Sequence, residues 1–316
     1  MLWDEEARSA EQFADISNSH ASRQRLLIAQ KDNLGLPLYN SRQPPHPPAP
    51  SPPQEEKGRK AKELEQENWH ILPRQERIGM LEVCVDTIHG AIAAEKAGAD
   101  RIELCSALEL GGVTPSNSLV SAVRVAIQLP LIVLIRARAG DFFFDELERD
   151  LMIAEAKQAI ELGADGVAIG GLTSSCELDL PLLRSAKVAF PKNQLVMHRA
   201  FDHVRDPLRA LEELVEIGFT RILTSGGANS ALEGVLALKL LNESARNRIE
   251  LLPAGGVNDG NAKQILTTCC TRGFGQLHGS FRRSLMPRDG YAFPEQASIS
   301  RTKATLSTFN GLDDHE

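Results

Sequence analysis

The chain is 316 residues long with 42 acidic against 35 basic side chains, a formal net charge of −7 and 5% aromatic residues; this balance carries no basic stripe and excludes nucleic acid and anionic membranes as partners. Five cysteines, an odd number spread over strand and helix positions, form no disulfide framework and fit a reducing compartment. Acidic Asp4, Glu5 and Glu6, with no apolar leader or spanning segment, set the expected location as cytoplasmic.

Residues 1–79 include QPPHPPAPSPPQEEKGRKAKELEQEN, where proline dominates and little apolar mass offsets the entropy of ordering. They are read as a low-complexity, disordered extension, with short apolar runs at Leu26–Ile28 and Leu34–Leu38. The proline string could adopt polyproline geometry and meet an aromatic groove, which would make the extension an interaction segment.

From Met80 to about residue 310 the chain reads as one domain in which apolar strands alternate with amphipathic helices. Expected strands are Met80–Val85, Arg101–Cys105, Leu131–Ile135, Gly166–Ile169, Gln194–Met197, Arg221–Leu223, Glu250–Pro253 and Gly275–His278. Expected helices are His89–Ala97, Ser116–Ile127, Asp145–Leu162, Asp179–Ala189, Pro207–Ile217, Ser230–Leu241 and Asn258–Thr268, with Ser298–Phe309 supplying the last. EKAGADRIEL, IELGADGVAI and VEIGFTRILT repeat one joint, in which Gly98, Gly163 and Gly218 suit a left-handed helix cap before a strand. Near-continuous apolar strands such as LIVLI predict a parallel sheet covered by helices, and eight repeats predict a TIM-type (β/α)8 barrel of the α/β class. Its helical outer surface could pair subunits into a homo-oligomer.

Barrels of this kind place their chemistry at the C-terminal ends of the strands. On the second strand Arg101, Glu103 and Cys105 share one face, opposite Ile102 and Leu104. The first strand repeats this, with Glu82 and Cys84 opposite Leu81, Val83 and Val85. Further strand-end polar residues are Asp86, Arg136, Arg138, His198, Arg199, Asp202, Thr224, Ser225, Asn258 and His278. Glu103, His198, Asp202 and His278 could act as general acids and bases near neutral pH. Arg136 and Arg199 could hold a carboxylate or phosphate, and Gly226, Gly227, Gly255, Gly256, Gly279 and Ser280 could offer backbone amides to an anion. These residues describe a metabolite enzyme, an isomerase, lyase or hydrolase, acting on a small anionic substrate. Each also has a structural reading: Glu103 as a buried ion-pair partner, His198 as a core histidine, the glycine pairs as tight turns, and Arg101 and Arg221 as braces at the far end of the barrel.

ADRIELC with GGVTPS, RARAGDF, DGVAIG, MHRAFD, RILTSGG and PAGGV, in that order, resemble the CutC copper homeostasis proteins across essentially the whole folded region. The resemblance implies a TIM-type barrel, a cytoplasmic setting and copper handling, with Cu(I) as the ligand. Cu(I) favours thiolate ligands, and neighbouring strands lie about 4.8 Å apart, so one ion could sit between Cys84 and Cys105 if their registers match; both thiols could equally fill the barrel as buried packing. Cys269 and Cys270 diverge around a helix and Cys176 sits in a polar loop. The chain departs from the family pattern at Ala137, Phe144 and Gln276, the last standing where an acidic residue is common.

Overall fold

The structure is a computed structural model that describes residues 79–269, 275–282 and 293–309, so that residues 1–78, where the extension is expected, and Cys270 lie outside the described residues. The elements follow in strict alternation: β1 Met80–Val85, α1 Ile88–Lys96, β2 Arg101–Leu104, α2 Asn117–Ala126, β3 Leu131–Ile135, α3 Glu146–Glu161, β4 Gly166–Ile169 and α4 Leu180–Ala189. The second half continues with β5 Gln194–Met197, α5 Pro207–Ile217, β6 Arg221–Thr224, α6 Val235–Ala245, β7 Glu250–Pro253, α7 Ala262–Cys269, β8 Gln276–Gly279 and α8 Gln296–Phe309. All paired strands are parallel, in the order β7-β6-β5-β4-β3-β2-β1-β8. The two end strands face each other across a seam where Gln276 Nε2 donates to Glu250 Oε2 at 3.0 Å, which makes a nearly closed TIM-type barrel.

Local chemistry starts and stops the helices where the sequence expects. Asp145 and Glu148 form a reciprocal capping box on α3, Asp206 caps α5 ahead of Pro207, and Thr87 and Ser116 cap α1 and α2, each satisfying amides that a helix leaves open. Gly98, Gly163 and Gly218 have φ of +95°, +97° and +89°, the left-handed joint that a β-carbon disfavours. Two helices begin later than expected. Ser230 Oγ accepts from the Glu233 amide at 3.2 Å and Asn258 Oδ1 from the Gly260 amide at 2.9 Å, so these side chains close separate turns ahead of α6 and α7.

Period-two alternation divides the buried residues between two cores. Leu81, Val83, Val85, Ile102 and Leu104 point outward against the helices, each contributing about 1.5–3 kcal/mol by burial. Cys84, Cys105, Ile132, Leu134, Ala168, Val196, Leu223, Leu252 and Ala254 point inward and fill the barrel. Beneath them lies a polar floor. Arg101 Nε pairs with Glu82, its Nη2 donates to Gln276 Oε1 at 3.0 Å, and Arg221 donates to Gln194 Oε1 at 2.6 Å and to Glu250 Oε2 at 3.3 Å. Gln276 uses both ends of its amide, accepting from Arg101 and donating to Glu250, a double role that a carboxylate beside Glu250 could not fill.

Candidate functional site

Above the polar floor, at the C-terminal mouth of the barrel, a cavity of about 270 Å³ opens between the strand ends. Its lining includes Cys84, Glu103, Cys105, Arg136, Phe142, His198, Arg199, Gly255, Gly256 and His278. The strands set one wall through register. Cys84 is the pairing partner of Glu103 on β2, and Glu82 is the partner of His278 on β8, so β1 brings both neighbours to one place.

The result is a chain of polar contacts from floor to cavity. Arg101 pairs with Glu82, Glu82 Oε1 lies 2.8 Å from His278 Nδ1, and His278 Nε2 lies 3.6 Å from Glu103 Oε2. Ligand atoms of Cys84, Glu103 and His278 all lie within 4.8 Å of one another, and all three residues are buried. Cys84 Sγ is also 3.7 Å from Cys105 Sγ. Four candidate metal ligands, two soft thiols, an imidazole and a carboxylate, therefore share one corner of the cavity.

The electrostatics of this corner follow from burial and pairing. Burial opposes the Glu82 charge, but Arg101 and His278 outweigh it and hold the carboxyl far below its usual range. An ionised Glu82 makes His278 Nδ1 the donor of that pair. For His278 itself, burial disfavours the imidazolium, and the Glu103 and Glu82 carboxylates more than offset it, so its pKa rises. Burial raises the pKa of Glu103. The hydrogen bond to Cys105 and then burial push the Cys84 thiol well above its ordinary value, so at neutral pH it carries its proton.

The opposite wall is cationic. Arg136, just past β3, donates to Gly112 O at 3.1 Å and Gly140 O at 2.6 Å, and its guanidinium carbon lies 4.5 Å from the Phe142 ring centroid. His198 follows β5 and caps the 3₁₀ turn Arg199–His203; its Nδ1 accepts from the Ala200 amide at 3.2 Å. Burial, and then Arg136, lower the His198 pKa to about 3. The ring is therefore neutral near physiological pH.

Other expected residues lie elsewhere. Asp202, expected as a catalytic group, is absent from the cavity lining. It accepts from Thr224 Oγ1 at 2.5 Å, the Ser225 amide at 2.9 Å, Ser225 Oγ at 3.0 Å and Arg199 Nε at 2.8 Å, and is a loop-holding hub. The amides of Gly226 and Gly227 are taken by Thr224 Oγ1 at 2.9 Å and Asp202 Oδ1 at 3.2 Å, so neither is offered to an anion; both glycines border a separate hollow with Phe201 and Leu241. Arg199 does reach the cavity, but Asp202 already balances its charge. Arg138 points away and pairs with Asp141 and Glu148.

Two residues outside the expected site, Glu82 and Phe142, also shape it. Glu82 was visible on the same strand face as Cys84, yet only the β1–β8 closure makes it the partner of His278. Phe142 had no signal beyond its place in the loop after β3. Gly112 is also required: at φ +84° a β-carbon there would stand 2.7 Å from Leu134 Cδ2 and 3.7 Å from Cys105 Sγ, so its absence lets the loop close over the thiol.

The family model of the CutC family matches residues 79–283. The human copper homeostasis protein cutC homolog is 45% identical over 187 residues, covering 59% of this chain and 68% of the human one. The family protein CutC of Pasteurella multocida is 41% identical over 210 residues, covering 66% and 85%. The crystal structure of the Streptococcus agalactiae CutC protein aligns with a TM-score of 0.60 at 33% identity, over 64% of this chain and 98% of that one. An aldolase, QR15, aligns at 0.51 with 16% identity over 74% and 98%, a likeness of fold alone.

Proposed function

From the premise that the chain belongs to the CutC family, we propose that it is a copper homeostasis protein that takes Cu(I) as its cargo at Cys84 and Cys105, in the reducing cytoplasm. The observation that supports this most is the 3.7 Å separation of the two buried thiols in the cavity wall, beside His278 and Glu103. Cu(I) is a soft ion that suits thiolate and imidazole donors, and the donor set fits it. A reducing compartment keeps such a pair as thiols.

Cys84 starts as a thiol, so its Cu–S bond forms as a proton leaves. Burial has already raised the proton affinity of Glu103, and that carboxyl group is hydrogen-bonded to the Cys84 thiol. The two thiolates and one Cu(I) carry a net charge of −1. Glu82 holds the His278 ring by Nδ1, leaving Nε2 turned to the Glu103 side of the cavity, an outer contact of the kind that fixes a ligand's orientation.

The test is a titration of the reduced protein with Cu(I) against a competing chelator. Tight one-to-one binding lost in both Cys84→Ser and Cys105→Ser supports the reading. Tight binding retained in the double variant overturns the two-thiol site.

A further inference from the structure

We propose that the wall formed by Arg136 and His198 binds a small oxyanion, the carboxylate or phosphate group of a metabolite that fits the 270 Å³ cavity. This site shares the cavity with the thiols but is built from other residues and does not depend on copper.

Arg136 gives the first reason. It is buried, and its hydrogen bonds go to neutral backbone carbonyls. Among the described residues no carboxylate forms an ion pair with it, and its Nε is a buried donor without a partner. Burying a cation without an anion is costly. Stapling the loop explains the two terminal nitrogens but leaves Nε unanswered, and the one carboxylate that acts on its charge, Asp141, is already paired with Arg138. The contrast with its neighbours is sharp: Arg101 has Glu82, Arg199 has Asp202 and Arg138 has Asp141 and Glu148.

His198 gives the second. Because Nδ1 accepts the Ala200 amide, the proton of the neutral ring sits on Nε2. That Nε2–H is buried and also without a partner, and the residue lines the same cavity. Buried donors are left open only rarely. One ring ties the two together: Phe142 lies 4.5 Å from the Arg136 guanidinium carbon and 5.4 Å, centroid to centroid, from His198. A fixed cation and a neutral donor in one wall, both unsatisfied, make an acceptor-bearing anion the complementary ligand. The ionised Glu82, in the polar floor beneath the cavity, does not compete, since Arg101 and His278 already hold it. An anion seated at this wall would point the rest of its molecule toward Glu103 and His278.

The experiment uses the full-length, metal-free protein, titrated by calorimetry with inorganic phosphate and, separately, with malonate. The His198 Nε2–H resonance is followed in parallel by ¹H–¹⁵N NMR. His198→Asn keeps an acceptor for the Ala200 amide and removes the Nε2 donor; Arg136→Lys keeps the charge and removes the guanidinium fork. The expected result is saturable binding of at least one probe, a shift of the His198 Nε2–H resonance, and roughly tenfold weaker binding in His198→Asn, the effect of one charge-assisted hydrogen bond. Binding should persist in the Cys84→Ser/Cys105→Ser double variant. Phosphate without malonate identifies a phosphoryl group, and malonate without phosphate a carboxylate. An unmoved Nε2–H resonance at saturation, or binding in His198→Asn equal to wild type, overturns the proposal. Both readouts stand even if Arg136→Lys does not fold.

Discussion

Glu82 and His278, 196 positions apart in the chain, are direct register partners on β1 and β8, and the Glu82 carboxylate accepts a hydrogen bond from His278 Nδ1 at 2.8 Å. The contact closes the barrel next to its polar floor and aims the imidazole into the cavity. Removing the charge with Glu82→Gln leaves Arg101 buried without its anion, so the variant should lose about 3–5 kcal/mol of stability at pH 7, measured by urea unfolding.

The same pair sets a pH dependence of opposite sign at each end. Glu82 is held below its ordinary value, so its stabilisation is present above the unfolded carboxyl pKa of about 4.5 and lost as pH falls toward the folded value. His278 is raised, so its contribution is complete below an unfolded pKa of about 6.5 and lost as pH climbs through the folded value. Glu103, also raised, adds to the loss on the alkaline side. Wild-type stability, followed by urea midpoints across pH, should peak in the mildly acidic range, and Glu82→Gln should flatten the acid limb.

Gln276→Glu tests the amide that bridges Arg101 and Glu250. The substitution keeps the acceptor for Arg101 and replaces the donor to Glu250 with a second negative charge. It should cost about 1–3 kcal/mol by the same unfolding measurement, although the residue is remote from the cavity lining.

Asp202→Asn should separate holding a loop from forming the site. Asp202 gathers Thr224, Ser225, Gly227 and Arg199 outside the cavity lining. The variant should lose about 2–4 kcal/mol and keep wild-type Cu(I) affinity in the chelator competition once folded.

Copper binding should release protons. With the Cys84 pKa raised well above its usual value, that thiol is protonated at neutral pH and the apparent Cu(I) affinity should climb steadily from pH 6 to pH 9. Calorimetry in buffers of differing ionisation enthalpy counts the protons, and Cys84→Ser should reduce the count.

Much of this was legible in the residues. Three glycine joints and the parity of Glu82, Cys84, Glu103 and Cys105 were enough to place the strands and the inward face, because strand alternation and helix capping are local rules; the thiols meet although Cys84 is in register with Glu103 and not with Cys105. What was not legible depended on closure and competition. No local rule makes Glu82 and His278 partners, since the pairing exists only when β8 returns to β1. Asp202 had the look of an acid at a barrel mouth, but the hydroxyls and amides of the following strand end bind it first. His198 was spent in part on capping its own turn, which fixed its tautomer and left the other nitrogen open.

The most direct measurement of the central claim is copper K-edge X-ray absorption on the Cu(I)-loaded, reduced protein. Sulfur scatterers are expected in the first shell and should be lost in the Cys84→Ser/Cys105→Ser double variant. A first shell of nitrogen and oxygen alone in the wild type, or an unchanged sulfur shell in the double variant, would contradict it.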